Sequence, residues 1–393
     1  MTIASGSRHS LAKVREVTQG TTPATPVFKP IRNTGTTLKL EKTTLTSAEI
    51  TGNRNITDSR HGNYQVGGDI PVELTYGGSI DDLLEELLCG TWTVKATKTA
   101  TTLSAAAADN SYNDSGTGFV TAGFEVGDII VVTGFTGNVA NNITRGVLTA
   151  VTAGKLTVGG TDGDVIVDDA AGESVTIATV SYVCKNGSTR RFSTFERLFG
   201  DITQYLRYTG CEINTMALKV APNAMTTINF GVVGMGADAA AGSIIAGATY
   251  SAATTGSAMD SFTGTITENG SEISVVTQLD INVDNGIEAL FAVGSKPAVG
   301  VSIGRCTVSG TITCYFDSVT MFNKFIAETE SDLECDVTDL AGNIYRWTLP
   351  RIKYNGAPPD VSGEGPVTLA MPIQALYDTT AAATISVERI PAA

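Results

Sequence analysis

The sequence predicts an all-β protein: two β-sandwich or barrel domains, each flanked by one short α-helix, with a small β domain inserted into the first. Three observations predict it. Gly, Thr and Val recur along the chain, while charged residues make up only 17%, well below the usual quarter. Apolar and polar residues alternate in many short runs bounded by Gly, Pro and Asn, the period of half-buried strands. A strand followed by a short amphipathic helix occurs twice, about 240 residues apart, which is how an internal repeat announces itself.

Residues 1–36 are polar, basic and punctuated by Pro23, Pro26 and Pro30, so they predict an extended N-terminal arm. The first domain is expected over 37–98 and 181–236. Leu38 and Leu40 open its first strand. The following 42–65 segment, rich in Thr, Asn and Arg, is too long for an ordinary connection and predicts a functional loop or a long hairpin. Ile70, Val72, Leu74 and Tyr76 then alternate with Pro71, Glu73 and Thr75, a strand that Gly77 and Gly78 break. Ser79 is placed to cap a helix, and Ile80, Leu83, Leu84, Leu87 and Leu88 form one apolar stripe along it. Gly90 is placed to end the helix, and Asp81, Asp82, Glu85 and Glu86 are expected on its solvated face.

Residues 99–180 change character. A low-complexity TKTATTLSAAAADN stretch leads into short β runs at Asp128–Thr133, Gly146–Ala150, Lys155–Val158, Val165–Val167 and Val175–Val180. An inserted module at an exposed loop is the expectation. The first domain resumes with Lys185-Asn186-Gly187-Ser188 as a hairpin turn and two alternating strands. Met216, Leu218 and Val220 share one face of the first, and Ile228, Phe230 and Val232 one face of the second, with Pro222-Asn223 between them. Residues 237–258 are small and low in complexity and read as a linker.

The second domain is expected over 259–377, followed by a C-terminal tail at 378–393. Asn269-Gly270 is a second hairpin signal. Ile273, Val275, Leu279, Ile281 and Val283 alternate with Glu272, Gln278, Asp280 and Asp284. Next, SGTITCYFDSVTMFNKFIAET (309–329) repeats the strand and helix of the first half. Ile312, Cys314 and Phe316 match Ile70, Val72 and Leu74; Ser318 matches Ser79; and Val319, Phe322 and Ile326 match Ile80, Leu83 and Leu87. Arg346-Trp347-Thr348 pairs with Arg191-Phe192-Ser193, and the strand with Val367, Leu369, Met371 and Ile373 pairs with 225–233. A tandem duplication is the expectation.

The run FSTFERLFGDITQYLRYTGCEINTMALKV (192–220), with the strand and helix ending in Gly90-Thr91-Trp92, resembles the major tail tube proteins of long-tailed, siphovirus-type bacteriophages. The resemblance covers both copies and leaves out the arm and the insertion. It implies a β-sandwich with one flanking helix that self-associates into rings, stacked into a tube through which phage DNA passes without specific binding. It also implies a virion location after synthesis in the host cytoplasm. The implied partners are the chain itself, a tape measure protein, and tail tip and tail terminator proteins. If six single domains close a ring in simpler members, a doubled chain needs only three copies. Lys42, Arg54 and Arg60 are then candidates for contact between rings. Glu73, Thr75, Glu272, Gln278, Asp280 and Asp284 are candidates for a polar face lining the lumen.

Charge and chemistry agree with a structural role. The net charge is −14, but residues 1–60 carry nine basic and four acidic residues, a local +5, leaving −19 on the remainder. An acidic body does not grip nucleic acid by neutralising phosphates. No stretch approaches the ~20 apolar residues that cross a bilayer, and the MTIASGSRHS start has no apolar run, so neither a membrane span nor a secretory signal is expected. The six Cys are scattered without a CxxC pair, so free thiols are expected rather than a zinc site. Asp58-Ser59-Arg60-His61 cannot form a triad from consecutive loop residues. TDGDVIVDDAAGE (161–173) does not follow a calcium-loop pattern, and GVVGMG (231–236) lacks a surrounding βαβ unit. No active site or cofactor is expected. A modular β-sandwich adhesin is the alternative reading, which the lack of a signal sequence disfavours.

Overall fold

The computed structural model describes every residue except 1–2, 51, 53–54, 160–165, 263, 274, 357–358, 360, 362 and 393. Among the described residues half of the chain is strand, and α-helix is confined to three short segments. Contacts divide the chain into two compact units. One comprises 1–90, 186–340 and 349–385, the other 91–185, 341–348 and 386–393.

In the first unit, strands β1 (His9–Glu16), β2 (Val27–Ile31), β3 (Lys39–Thr46) and β4 (Ser59–Glu73) precede helix α1 (Ser79–Leu87). Strands β5 (Phe192–Phe199), β6 (Gln204–Val220) and β7 (Thr227–Gly234) follow it. A comparable series comes next: β8 (Ile266–Glu268), β9 (Ser271–Glu272), β10 (Val276–Asp284), β11 (Thr307–Tyr315), α2 (Thr320–Ile326), β12 (Ser331–Thr338), β13 (Ile344–Tyr354) and β14 (Thr368–Ala375). Residues 349–354 of β13 belong to this unit.

Antiparallel pairing orders the first series β3–β4–β7–β6 and the second β10–β11–β14–β13. The registers match residue for residue. Ile70 faces Phe230 and Val72 faces Ile228, as Ile312 faces Met371 and Cys314 faces Leu369. The two series join where β6 pairs β10, with Met216 opposite Val283, Leu218 opposite Ile281 and Val220 opposite Leu279. One sheet therefore runs without a break from β3 to β13. Alternation decides its faces: Ile70, Val72, Ile228, Phe230, Met216, Leu218, Leu279, Ile281, Ile312, Met371 and Ile373 are all buried on one side.

A second sheet covers that apolar side in the first series, in the order β2–β1–β5–β6. Strand β6 belongs to both sheets. Its first half pairs β5 and its second half pairs β7 and β10. Gly210 marks the change, with φ +64, and a Cβ there would lie 2.8 Å from Met235 Sδ.

The 1–36 segment is extended, but β1 pairs with β5 along its whole length, from His9 opposite Phe199 to Glu16 opposite Phe192. Three basic residues of this segment, Lys13, Arg15 and Lys29, lie over α1. Lys13 donates to Glu86 at 2.7 Å with both side chains buried, and Ser193 Oγ donates to the same carboxylate oxygen at 2.7 Å. Arg15 and Arg191 pair with Glu85, and Lys29 with Asp82. The acidic helix face is thus an ion-pairing surface rather than a solvated one. Ile80, Leu83, Leu84, Leu87 and Leu88 are buried as the stripe predicts.

The helix ends differ from expectation. Gly78, at φ +64, occupies the N-cap of α1 with no side-chain cap, and Ser79 is the first helical residue. In α2 the N-cap is Val319, and the Ser318 hydroxyl meets Thr320 instead. Cys89, at φ +48, takes the left-handed position assigned to Gly90. Asn269-Gly270 does turn β8 into β9, whereas Asn186 accepts backbone N–H groups from Thr384 and Ile385 and makes no hairpin. By register, Leu369 and Met371 do match Ile228 and Phe230. The strand after the helix is β5 in one series and β12 in the other, so Arg346-Trp347-Thr348 in β13 does not match residues 191–193.

The second unit has a core of its own, drawn from Ala96 to Ile177 and centred on Tyr112, Phe119, Phe135, Ile130, Leu156 and Ile177. Its main sheet runs Thr97–Ala100, Val175–Thr179, Ile129–Thr133, Gly146–Thr152, Lys155–Gly159, Ser111–Asp114, Leu103–Ala106, all antiparallel. The low-complexity stretch supplies strands of this sheet; its threonines and its run of alanines hid their period. A smaller sheet joins Thr93–Val94, Tyr182–Lys185, Ser386–Ile390 and 344–348, so part of the expected tail is a strand.

Two outcomes follow. Lys13→Met should cost about 3–5 kcal/mol in chemical denaturation, because Glu86 loses its buried partner, and adding Glu86→Leu should recover most of that loss. Replacing residues 100–178 with a short Gly/Ser linker should leave a cooperative unfolding transition for the first unit in calorimetry, since the deleted core is self-contained.

Candidate functional site

The features left without an internal role are sheet edges, a polar sheet face and a hairpin tip. Among the described residues β3 pairs only with β4, and Ile352–Tyr354 of β13 pair only with β14. Both ends of the long sheet therefore carry backbone donors and acceptors without a neighbour, a configuration that proteins rarely leave uncovered.

The face opposite the apolar side is polar and weakly charged. Lys219 lies opposite Asp280, Ala217 opposite Asn282 and Thr215 opposite Asp284 across the β6–β10 junction. Beyond it come Thr311 and Ser309 on β11, and on the other flank Asn229, Asp69 and Glu73. Of the expected polar-face residues, Glu73, Asp280, Asp284 and Gln278 lie on this sheet and are exposed or half-buried. Thr75 does not: it is 2% exposed and bridges Ala258 of the linker. Glu272 sits on the exposed β8–β9 hairpin, away from the sheet.

The 42–65 segment is the long hairpin alternative. β3 and β4 pair as far as Thr46 opposite Ser59. Lys42 packs its ammonium over the Tyr64 ring at 5.4 Å, and Arg60 is 80% exposed and pairs with Asp58 at 3.0 Å. Arg54 lies outside the described residues. Sequence reading picked the basic residues here and passed over the apolar ones: Leu45, Ile50 and Ile56 are all exposed at the tip. The corresponding connection between β10 and β11 takes another course. It forms the Glu288–Leu290 and Gly300–Ser302 pair, and its Pro297 bridges Tyr64 of β4.

The expected linker is held by backbone bonds. Tyr205 pairs with Ala241, Thr249 and Tyr250 run parallel to β2, and Met259 is bonded between Leu74 and Thr226. Tyr250 donates to Glu196, which also pairs with Arg207 at 2.7 Å. GVVGMG lies largely in β7 rather than in a linker, its Gly234 packed on Cys211.

A cleft of about 530 Å³ is lined by Asn186, Arg305, Cys306, Gln374 and Tyr377 among others. Burial pushes the Cys306 thiol up to about 11, which leaves it protonated and non-nucleophilic at neutral pH. Asp58 and Arg60 pair with each other rather than with His61. In the 161–173 stretch, Asp168, Asp169 and Glu173 accept N–H groups of Ala107, Asn138, Thr136 and Gly137 and so staple loops. Hydrogen bonds from Thr136 hold the Glu173 carboxyl below the usual range. Among the described residues no group of three His, Cys, Asp or Glu side chains could hold a metal, and no helix is long and apolar enough to cross a membrane.

A family model described as phage tail tube protein matches residues 6–375. No curated protein matches the chain.

Proposed function

The chain belongs to the phage tail tube protein family, a structural component of the virion tail, and from this premise we propose that it builds the tube by extending its own sheet from chain to chain. The observation that carries the reading is the β6–β10 junction. There the last strand of one series pairs with the first strand of the next, in matched order and register. We take the two series as a tandem duplication, and the internal junction as the pattern for the one between chains.

In that arrangement β13 of one chain pairs with β3 of the next. A head-to-tail contact of this kind generates a ring when its rotation closes. Closure removes both exposed edges, which is the physical return for assembly. With six domains to a ring, three chains suffice, and the ring alternates between two kinds of domain. The polar face then lines the lumen. Glu41, Asp69, Glu73, Asp280 and Asp284 outnumber Lys39, Lys219 and Lys353 on it, so phosphates meet like charge and DNA slides past without binding. Such a conduit delivers DNA into the host and needs no catalytic group. The tape measure, tip and terminator proteins are its partners in the tail.

Stacking falls to the β3–β4 hairpin, which carries exposed Leu45, Ile50 and Ile56 together with Lys42 and Arg60, and to Arg54 of the same sequence segment. Apolar side chains supply contact area and the basic ones match the acidic body of the neighbouring ring.

Negative-stain microscopy of the purified chain should show rings or tubes of uniform bore. Isolated particles at every concentration would contradict the reading and favour the modular adhesin. Charge reversal at Arg54 and Arg60 should shorten the tubes while leaving monomer stability within about 0.5 kcal/mol, and tubes of unchanged length at physiological salt would remove the hairpin from the stacking contact.

A further inference from the structure

Matched registers expose a difference between the two series at one edge. In the first, Leu74 N–H donates to the Thr226 carbonyl at 2.9 Å, just past the end of β4. In the second, Phe316 N–H donates to the Val367 carbonyl, also at 2.9 Å, just past the end of β11. These pairs are equivalent by register, two residues on from Val72–Ile228 and Cys314–Leu369.

What lies beyond them differs. In the first series the residue just after the linker closes the edge: Met259 N–H donates to the Leu74 carbonyl at 2.8 Å and its carbonyl accepts from Thr226 N–H at 2.9 Å. Met259 is fully buried there. In the second series the Phe316 carbonyl and the Val367 N–H have no partner among the described residues. The neighbouring apolar side chains are open as well. Tyr315, Val319 and Ile326 are 49%, 54% and 64% exposed, whereas the helix residues Ile80 and Leu87 of the first series are buried.

The segment that closes the first edge is the one that leads into β8, and β8 pairs with β12 as β1 pairs with β5. In a ring continued head to tail, the segment leading into β1 of the next chain arrives at the Phe316 edge. That segment is Ile3–Arg8. Ser5 N–H donates to Asp201 and the Arg8 carbonyl accepts from Gly200 N–H, so the segment is held to its own chain from Ser5 onward and Ile3 lies beyond that anchor. Its only large apolar side chain, Ile3, is 81% exposed.

We propose that the N-terminal segment of a second copy of this chain docks on the Phe316–Val367 edge, bonding the open carbonyl and N–H and laying Ile3 against the exposed face around Val319. The inference rests on the ring reading and adds a segment exchange to it. Each chain then contributes one closure internally, through Met259, and one to its neighbour. The N-terminal arm serves as a clasp between subunits as well as a strand within one.

The test uses the full chain. In an Ile3→Cys, Val367→Cys variant, oxidation of assembled rings should give a non-reducing gel ladder that ends at three chains, above the background of the unmodified protein with its six thiols. Ile3→Asp should raise the concentration needed for assembly at least tenfold with the monomer melting temperature unchanged. Rings from the double-cysteine variant that stay uncrosslinked, with Ile3→Asp assembling at the ordinary concentration, would overturn the clasp and leave the ring intact. Absence of rings from the unmodified chain would overturn the ring reading and the clasp together.

Discussion

A β-sheet cannot end without leaving a row of backbone donors and acceptors unpaired, and this protein is organised by that constraint. Its eight-residue β3 and the terminal residues of β13 are the two ends of one sheet. Between them the β6–β10 pairing shows how the chain handles an edge: it presents the next domain to it. A sandwich that stopped at β6 would expose Leu218 and Met216 at its margin, where Ile281 and Val283 now lie opposite. The apolar face and the hydrogen-bond ladder are thus continued by the same contact.

That long sheet needs a fixed partner layer, and the first series supplies it through charge as much as through apolar packing. Lys13 reaches Glu86 in a site closed to water, with Arg15, Lys29 and Arg191 ranged along the same helix. A buried ion pair contributes little net stability compared with apolar side chains of the same shape. Its consequence is positional, since a slip of β1 by one residue would strand both charges. Glu212 sits under a related constraint: burial pushes its carboxyl up, and the Arg190 guanidinium pulls it back. In the second series α2 has no buried residue, and among the described residues the ion pair shown for it is Lys324 with Glu268 of β8. The asymmetry of the two series lies there rather than in the sheet.

Strands with one buried face were legible in the sequence, because alternation records burial directly: Ile70 to Leu74, Met216 to Val220 and Leu279 to Val283 all face inward. The apolar stripe of α1 was legible for the same reason. The charges were harder. An acidic helix face next to water and one next to Lys13 look alike in sequence, and the partners lie 73 residues apart. Docking of the linker was hidden because it is held chiefly by backbone bonds, which carry no side-chain signature, and docking of the 1–36 segment because its buried Leu11, Phe28 and Ile31 stand scattered among polar residues and prolines. Alanine concealed the strands at Thr97–Ala106, since it marks neither face. Of the site, the acidic polar face could be read from alternation, whereas the apolar hairpin tip at Ile50 and Ile56 could not be told from ordinary loop variation.

In the proposed ring one chain carries two positions, joined as neighbouring chains are joined. Native mass spectrometry of released rings tests it most directly. A mass of three chains is expected, with averaged cross-sections showing three copies of the inserted unit around a pseudo-sixfold wall. A ring of six chains with true sixfold symmetry would contradict it, and would make the second series a decoration outside the wall.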